Sequence, residues 1–158
     1  MKSITLVGFI LISLGTNAQI PILDARKEIN KLIDDWHVAA AEANAEQYFG
    51  SMTETSRFLG TDPSERWTKA EFMTFAQDAF SHGRTWDFTP SERKLTVERG
   101  LEFAWFDENL DTWMGPCRGS GVLVKTDDGW KIEQYNLAIL IPNHKVTEYL
   151  DLIGIEHD

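Results

Sequence analysis

The stretch that decides the fold is GVLVKTDDGWKIEQYNLAIL, residues 121–140. It holds two long runs rich in β-branched, aromatic and other apolar residues, which are typical of strands, on either side of Asp127-Asp128-Gly129. An Asp-Gly step accepts the positive φ angles of a tight hairpin, so the two runs are predicted to pair antiparallel. The sheet of this domain is therefore expected to contain one long hairpin.

The second of these strands carries an unusual row of side chains. Residues two apart on a strand share a face, so Trp130, Ile132, Gln134 and Asn136 are predicted to point to one side unless a bulge intervenes. A carboxamide that faces an apolar core needs hydrogen-bond partners, or it costs about 1 to 3 kcal/mol. The pattern therefore predicts that both amides face an internal pocket, where they would either form an internal hydrogen-bond network or orient a ligand.

Helical spacing dominates the chain before this hairpin. Apolar residues recur every three or four positions from Asp24 to about Ala45, and a capping box at Thr68-Lys-Ala-Glu71 precedes a second amphipathic helix. From Trp86 onward the period falls to two, which indicates strands, until a terminal helix after Asn143. Helices first and a contiguous antiparallel sheet second predict an α+β fold with the helices on one face of the sheet.

Several segments carry a resemblance to a known family: Phe58-Leu-Gly-Thr-Asp, Glu65-Arg-Trp, Arg118-Gly-Ser-Gly-Val-Leu-Val-Lys and Asp128-Gly-Trp-Lys-Ile. Through them, roughly Asp24 to Asn143 resembles the SnoaL-like group of the nuclear transport factor 2-like superfamily. The resemblance implies a conical α+β barrel, in which helices lie against a curved antiparallel sheet and enclose a pocket. The superfamily includes cyclases, dehydratases, an isomerase and purely binding or dimerising members, so the fold leaves the chemistry open.

The resemblance also bears on the two amides. Many relatives carry histidines after the Gly-Trp-Lys-Ile turn, where this chain has Gln134 and Asn136. A carboxamide binds but does not titrate, so histidine-based proton transfer at these two positions is not expected.

Composition limits the classes of partner. The 158 residues are 42% hydrophobic and carry a formal net charge of −10, which repels nucleic acid and anionic lipid. A single cysteine, Cys117, excludes an internal disulfide and thiolate metal clusters. The histidines lack ligand spacing and there is no nucleotide fingerprint, so no metal and no cofactor are predicted. A small molecule is the expected partner.

The N-terminus has the pattern of a signal peptide. Lys2, an apolar run from Ile4 to Leu14, and Thr16-Asn17-Ala18 predict export with cleavage after residue 18. A single SnoaL-like domain over residues 19–158 would remain, in the periplasm or secreted. The run is shorter than the roughly 18 apolar residues of a membrane span, so no integral membrane segment is expected after cleavage. A membrane anchor or a buried first helix is the alternative.

Three titratable positions are candidates for chemistry. His37 flanks the apolar stripe of the first helix and is either a proton carrier or a boundary histidine bonded to a carbonyl. Asp62 lies on a loop before the capped helix and either acts as a base or bonds its own turn. Asp107 and Glu108 lie on opposite faces of one strand. The small Ala104 on the same face as Glu108 favours Glu108 as the inward carboxylate.

Two pocket functions remain open. As a binding domain, the protein would use aromatic walls and polar orienting groups, namely Trp36, Trp67, Phe106, Arg118, Gln134 and Asn136. As an enzyme, it would use His37 or Asp62 as general base, with Glu108 or Arg118 as electrostatic partner, in a cofactor-independent elimination, isomerisation or cyclisation. Because carboxamides stand where an acid–base pair is expected, the sequence favours binding slightly.

A third function concerns the outside of the sheet. Tyr135, Leu137 and Ile139 alternate with the residues predicted to face the pocket, so they are predicted to form an apolar row on the outer face. Such a row favours an interface, either for a homodimer or for another protein partner. Dimerisation is compatible with either pocket function.

Overall fold

The computed structural model describes residues 19–156, and the predicted signal segment lies outside them. In chain order, this part of the chain contains α1 (Gln19–Ala41), α2 (Ala45–Gly50), β1 (Met52–Leu59), β2 (Arg66–Thr68), α3 (Lys69–Ser81), β3 (Thr89–Val97), β4 (Phe103–Thr112), β5 (Gly115–Thr126), β6 (Gly129–Ile139), a 3-10 turn (Asn143–Lys145) and α4 (Val146–Leu152).

The strands form one curved sheet in the order β2-β1-β6-β5-β4-β3, with helices packed against it. This confirms the α+β fold predicted from the pattern and the cone implied by the resemblance, although the sheet does not close into a barrel. One pairing differs from the expected antiparallel pattern, because β1 runs parallel to β6. A tight turn forces its two strands to be antiparallel, whereas β1 and β6 are far apart in sequence and no turn sets their direction.

The helices pack through the apolar positions that the periodicity predicts. In α1, Ile29, Ile33 and Trp36 are buried. At the start of α3, the Glu71 backbone N–H donates to the Thr68 hydroxyl, and the Glu71 carboxylate accepts from the Thr68 backbone N–H. The predicted capping box is therefore confirmed. Its backbone hydrogen bond is the main reason that the pKa of Glu71 lies below its usual value.

A bulge in β6 reverses the predicted facing of the second half of that strand. The register against β5 passes from Ile132 directly to Gln134, which leaves Glu133 as an extra residue. Its carboxylate accepts hydrogen bonds from the hydroxyls of Thr53 and Thr55 on β1. An extra residue shifts the alternation of side chains by one position. Even-numbered residues therefore face inward before the bulge, and odd-numbered residues face inward after it.

The prediction that Gln134 and Asn136 face the pocket is therefore wrong. Trp130 and Ile132 are buried as expected, but after the bulge the buried residues are Tyr135 and Leu137. Gln134 is exposed and Asn136 is half-buried on the outer face. The carboxamides thus give no argument against proton chemistry in the pocket.

Candidate functional site

A cavity of about 150 Å³ lies between the helices and the concave face of the sheet and opens to the surface. Its wall is mainly aromatic and includes Trp36, Tyr48, Phe58, Phe72, Trp86 and Phe88. These rings pack on one another, for example Trp36 stacked on Tyr48 with centroids 4.7 Å apart. A cavity of roughly this size accepts a molecule as large as benzene.

Two of the predicted catalytic candidates meet at the wall of this cavity. His37 projects from α1 and lines the pocket. Its Nε2 lies 2.6 Å from Oε1 of Glu108 on β4, although the two residues are far apart in sequence. Glu108 is 0% exposed and His37 is 8% exposed. Asp107, the alternative carboxylate, is exposed on the other face of β4, so Glu108 is the inward one as expected.

An arginine that the sequence reading missed completes this cluster. Arg93 on β3 donates from Nε to Oε2 of Glu108 at 2.7 Å, and its Nη1 lies 2.8 Å from Oδ1 of Asp34 on α1. On β3, Arg93 lies on the same face as the buried Leu95 and Val97. Because residues two apart on a strand share a face, this spacing could have identified Arg93 as an inward-facing residue. The cluster therefore runs from Asp34 through Arg93 and Glu108 to His37.

The cluster fixes how the imidazole of His37 presents itself. Both carboxylate oxygens of Glu108 are bonded, one to His37 and one to Arg93, as burial of a charge requires. A carboxylate can only accept, so Nε2 of the neutral imidazole carries the proton and Nδ1 keeps its lone pair. Within residues 19–156, Nδ1 has no hydrogen-bond partner. His37 can therefore accept a proton on Nδ1 while Glu108 holds the ring.

Three further polar atoms belong to pocket-lining side chains. The indole N–H of Trp36 and the hydroxyls of Tyr48 and Tyr135 are buried and donate to no other group in the described part of the chain, while the Tyr48 oxygen has the Trp86 indole as a donor neighbour. Burial raises the pKa of both tyrosines well above the usual value, with Tyr135 adding to the effect on Tyr48 and Glu108 adding to that on Tyr135. At neutral pH the two hydroxyls are therefore protonated and able to donate.

Two of the other candidates do not reach the pocket. Asp62 is exposed and accepts from the backbone N–H and the hydroxyl of Ser64, and these bonds lower the pKa of its carboxyl. Asp62 therefore stabilises its own turn, which is the alternative to a role as a base. Arg118 is exposed on the outer face and donates to Oδ1 of Asn109, so the expectation that it orients a pocket ligand is wrong. On β5, Arg118 points to one face of the sheet, whereas its neighbours Cys117 and Gly119 are buried on the other face.

Of the three aromatic residues predicted to form the pocket wall, two line the pocket. Trp36 and Trp67 line the pocket as expected, and Trp67 stacks on Phe75 with centroids 4.4 Å apart. Phe106 is buried in the core beside Tyr135, with centroids 6.2 Å apart, and is not one of the lining residues. Phe106 points to the inner side of the sheet, as the alternation predicts, but it lies away from the cavity.

The outer face also differs from the expected interface. Tyr135 and Leu137 point inward because of the bulge, and only Ile139 of the predicted row is exposed. The exposed aromatic residues of this face are instead Phe103 and Trp105 of β4, stacked with centroids 5.9 Å apart.

Gly119 provides the space that Tyr135 occupies. It lies opposite Glu108 on β5, and a Cβ at this position would overlap the Tyr135 hydroxyl. We expect Gly119→Ala to lower the free energy of unfolding by about 1 to 3 kcal/mol, as overpacking in a core does. Gly50→Ala is the control, because a Cβ there meets nothing within 4 Å. Urea denaturation of both variants checks this, and equal stability would contradict it.

Two kinds of feature are not found within the described residues. No group of three or more His, Cys, Asp or Glu side chains there is arranged to hold a metal ion. No helix among them has the length and apolar content to cross a membrane.

Comparison with known proteins identifies the family. Residues 29–142 match the SnoaL-like domain, whereas no curated protein matches the chain. A nuclear transport factor 2-like protein with a cystatin-like fold from Novosphingobium aromaticivorans has a TM-score of 0.66 at 16% identity, covering 88% of this chain and 98% of its own. A nuclear transport factor 2-like protein of unknown function from Pseudomonas putida has a TM-score of 0.65 at 9% identity, with 78% and 92% covered.

A third solved structure is similar to the same degree. It is provisionally assigned as a scytalone dehydratase from Novosphingobium aromaticivorans, with a TM-score of 0.62, 14% identity, and 80% of this chain and 89% of that chain covered. At these identities the solved structures show a shared fold only. The family match spans well over half of the sequence. The chain therefore belongs to the SnoaL-like domain family, and it shares the fold of nuclear transport factor 2-like proteins.

Proposed function

We propose that this protein is a cofactor-independent acid–base enzyme that removes a proton from carbon next to a carbonyl group, in an elimination, isomerisation or cyclisation. The substrate is a small, largely apolar molecule bound in the aromatic pocket. The observation that supports this best is the 2.6 Å contact between His37 and the fully buried Glu108 at the pocket wall. A base held by a carboxylate is the arrangement that general-base catalysis uses.

Five polar side chains of the site have roles in this proposal. Nδ1 of His37 accepts the proton, while Glu108 orients the ring and stabilises the imidazolium that forms. Arg93 keeps Glu108 in place. As the proton leaves carbon, negative charge develops on the carbonyl oxygen, and the hydroxyls of Tyr48 and Tyr135 donate hydrogen bonds to it. His37 then returns the proton to the product or to the leaving group.

A second candidate function is binding without chemistry. It is favoured by the mainly aromatic wall, which needs no titrating group to hold a flat apolar molecule. The two candidates separate experimentally because loss of a base costs rate, whereas loss of a wall costs affinity.

The test begins with purified protein. Native mass spectrometry would identify molecules that the protein retains, and a panel of hydroxy-acids, ketones and polyketide-like compounds would be assayed for turnover. Turnover of a panel compound supports the enzyme. Retention of a compound that is never converted supports the binding function instead.

Export and dimerisation complete the proposal. Residues 1–18 have the pattern of a cleaved signal peptide, so the mature protein is periplasmic or secreted. Intact mass of protein from the native host tests this, and a mature chain that retains Met1 would contradict it. The stacked Phe103 and Trp105 offer an apolar surface for a homodimer through the outer sheet face. Sedimentation of the wild type and of Trp105→Glu tests this, and a wild-type monomer would contradict it.

A further inference from the structure

The mouth of the pocket carries two exposed aromatic side chains. Trp113, in the turn between β4 and β5, is 85% exposed, and Phe75 of α3 is 57% exposed. Both belong to the lining of the same pocket as His37, although they come from different elements. Exposing rings of this size to water is unfavourable, so two such rings at a pocket entrance indicate a surface that contacts a ligand.

Both side chains are attached to well-supported backbone. In the β4–β5 turn, the Thr112 hydroxyl accepts from the Met114 backbone N–H at 3.0 Å and donates to the Gly115 carbonyl at 2.9 Å. Met114 packs against the core beside Trp113. Phe75 stacks on Trp67, with centroids 4.4 Å apart. The two rings are therefore presented at the mouth by fixed elements.

The pocket has two chemically different ends. The described part of its lining includes three buried donors that lack an acceptor, the Trp36 indole N–H and the Tyr48 and Tyr135 hydroxyls, next to His37. Buried donors of this kind need an acceptor, which a polar ligand atom in the cavity can provide. The mouth, in contrast, offers apolar rings. At about 150 Å³ the cavity is smaller than the roughly 300 to 1,000 Å³ of ordinary ligand pockets.

We infer that the ligand of this pocket is an elongated amphiphile. Its head, about one ring in size and bearing an oxygen, lies in the cavity beside Tyr48 and Tyr135. Its apolar tail leaves the cavity and lies against Trp113 and Phe75. This rests on the proposed pocket as the binding site, but not on proton transfer by His37. Trp113 thus determines specificity for the length of the ligand.

The probe is a series of 4-alkylphenols from phenol to 4-hexylphenol, measured by isothermal titration calorimetry. In the wild type, affinity should rise about three- to fourfold for each methylene that reaches the mouth, the factor expected for burial of one CH₂. In Trp113→Ala this increase should fall to twofold or less per methylene, while phenol binds as before. Tyr149→Ala is the control, because Tyr149 is also an exposed aromatic residue but lies on α4 and does not line the pocket.

Several results would overturn the inference. They are the same chain-length dependence in Trp113→Ala as in Tyr149→Ala, an affinity in the wild type that does not rise with chain length, or no binding of any member. His37→Gln separates this inference from the proposed function. If that variant keeps the chain-length dependence and also keeps turnover, the amphiphilic site stands and the catalytic role of His37 fails. If His37→Gln loses turnover but Trp113→Ala keeps the wild-type chain-length dependence, the catalytic role of His37 stands and the amphiphilic site fails.

Discussion

Replacement of Glu108 by alanine is expected to lower the free energy of unfolding by about 3 to 5 kcal/mol, the usual cost of removing one partner from a buried ion pair. The Glu108 side chain is completely buried and bonds both Arg93 and His37. Its loss leaves the Arg93 guanidinium with Asp34 as its remaining carboxylate partner and leaves Nε2 of His37 without an acceptor. Urea denaturation monitored by tryptophan fluorescence measures the change.

Asp107→Ala is the matched control for this prediction. Asp107 precedes Glu108 on β4 but is exposed on the opposite face, so the substitution should change stability by no more than about 0.5 kcal/mol. Glu108→Gln should fall between the two, because an amide oxygen can still accept from Arg93. Equal stability of the Glu108→Ala and Asp107→Ala proteins would show that the buried cluster does not stabilise the fold as described.

The second large effect concerns turnover. For a panel compound that the wild type converts, His37→Gln is expected to lower kcat by about 10² to 10⁴, the usual contribution of a general base. Affinity for the same compound should change only a few-fold, since the aromatic wall remains. Glutamine still bonds Glu108 through its amide N–H, so folding should be preserved. Steady-state kinetics and calorimetric binding separate the two effects.

His82→Gln controls for loss of a histidine as such. His82 follows α3 at the surface, where its Nδ1 lies 2.9 Å from the Asp78 carbonyl oxygen, and it is not among the residues that line the pocket. Its replacement should leave kcat unchanged. If His37→Gln keeps full kcat, the base lies elsewhere.

Local signals in the sequence predicted the elements and much of the cluster. The spacing of apolar residues placed α1 and α3, the capping box placed the start of α3, and the Asp-Gly step placed the β5–β6 hairpin. Strand alternation left Asp107 and Glu108 as alternatives, and the small Ala104 on the face of Glu108 favoured Glu108. These features depend on residues close in sequence, which is why one chain suffices to see them.

The remainder depends on contacts between distant segments. The bulge at Glu133 is stabilised by hydroxyls on β1, some 80 residues earlier, and it moved Tyr135 into the pocket and Gln134 out of it. The pairing of His37 with Glu108 likewise joins α1 to β4. No short-range pattern contains such contacts, so the sequence named both residues as candidates without showing that they meet.

Solvent-deuterium exchange gives the most direct test that His37 carries a proton for a molecule in the pocket. A ketone from the panel that binds would be incubated with wild type or His37→Gln in D₂O, and loss of the C–H signal next to the carbonyl would be followed by proton NMR. We predict exchange with the wild type and, at equal occupancy of the pocket, exchange slower by about 100-fold or more with His37→Gln. Equal exchange rates in the two proteins, or no exchange of a ketone that saturates the wild-type pocket, would contradict the proposed role of His37.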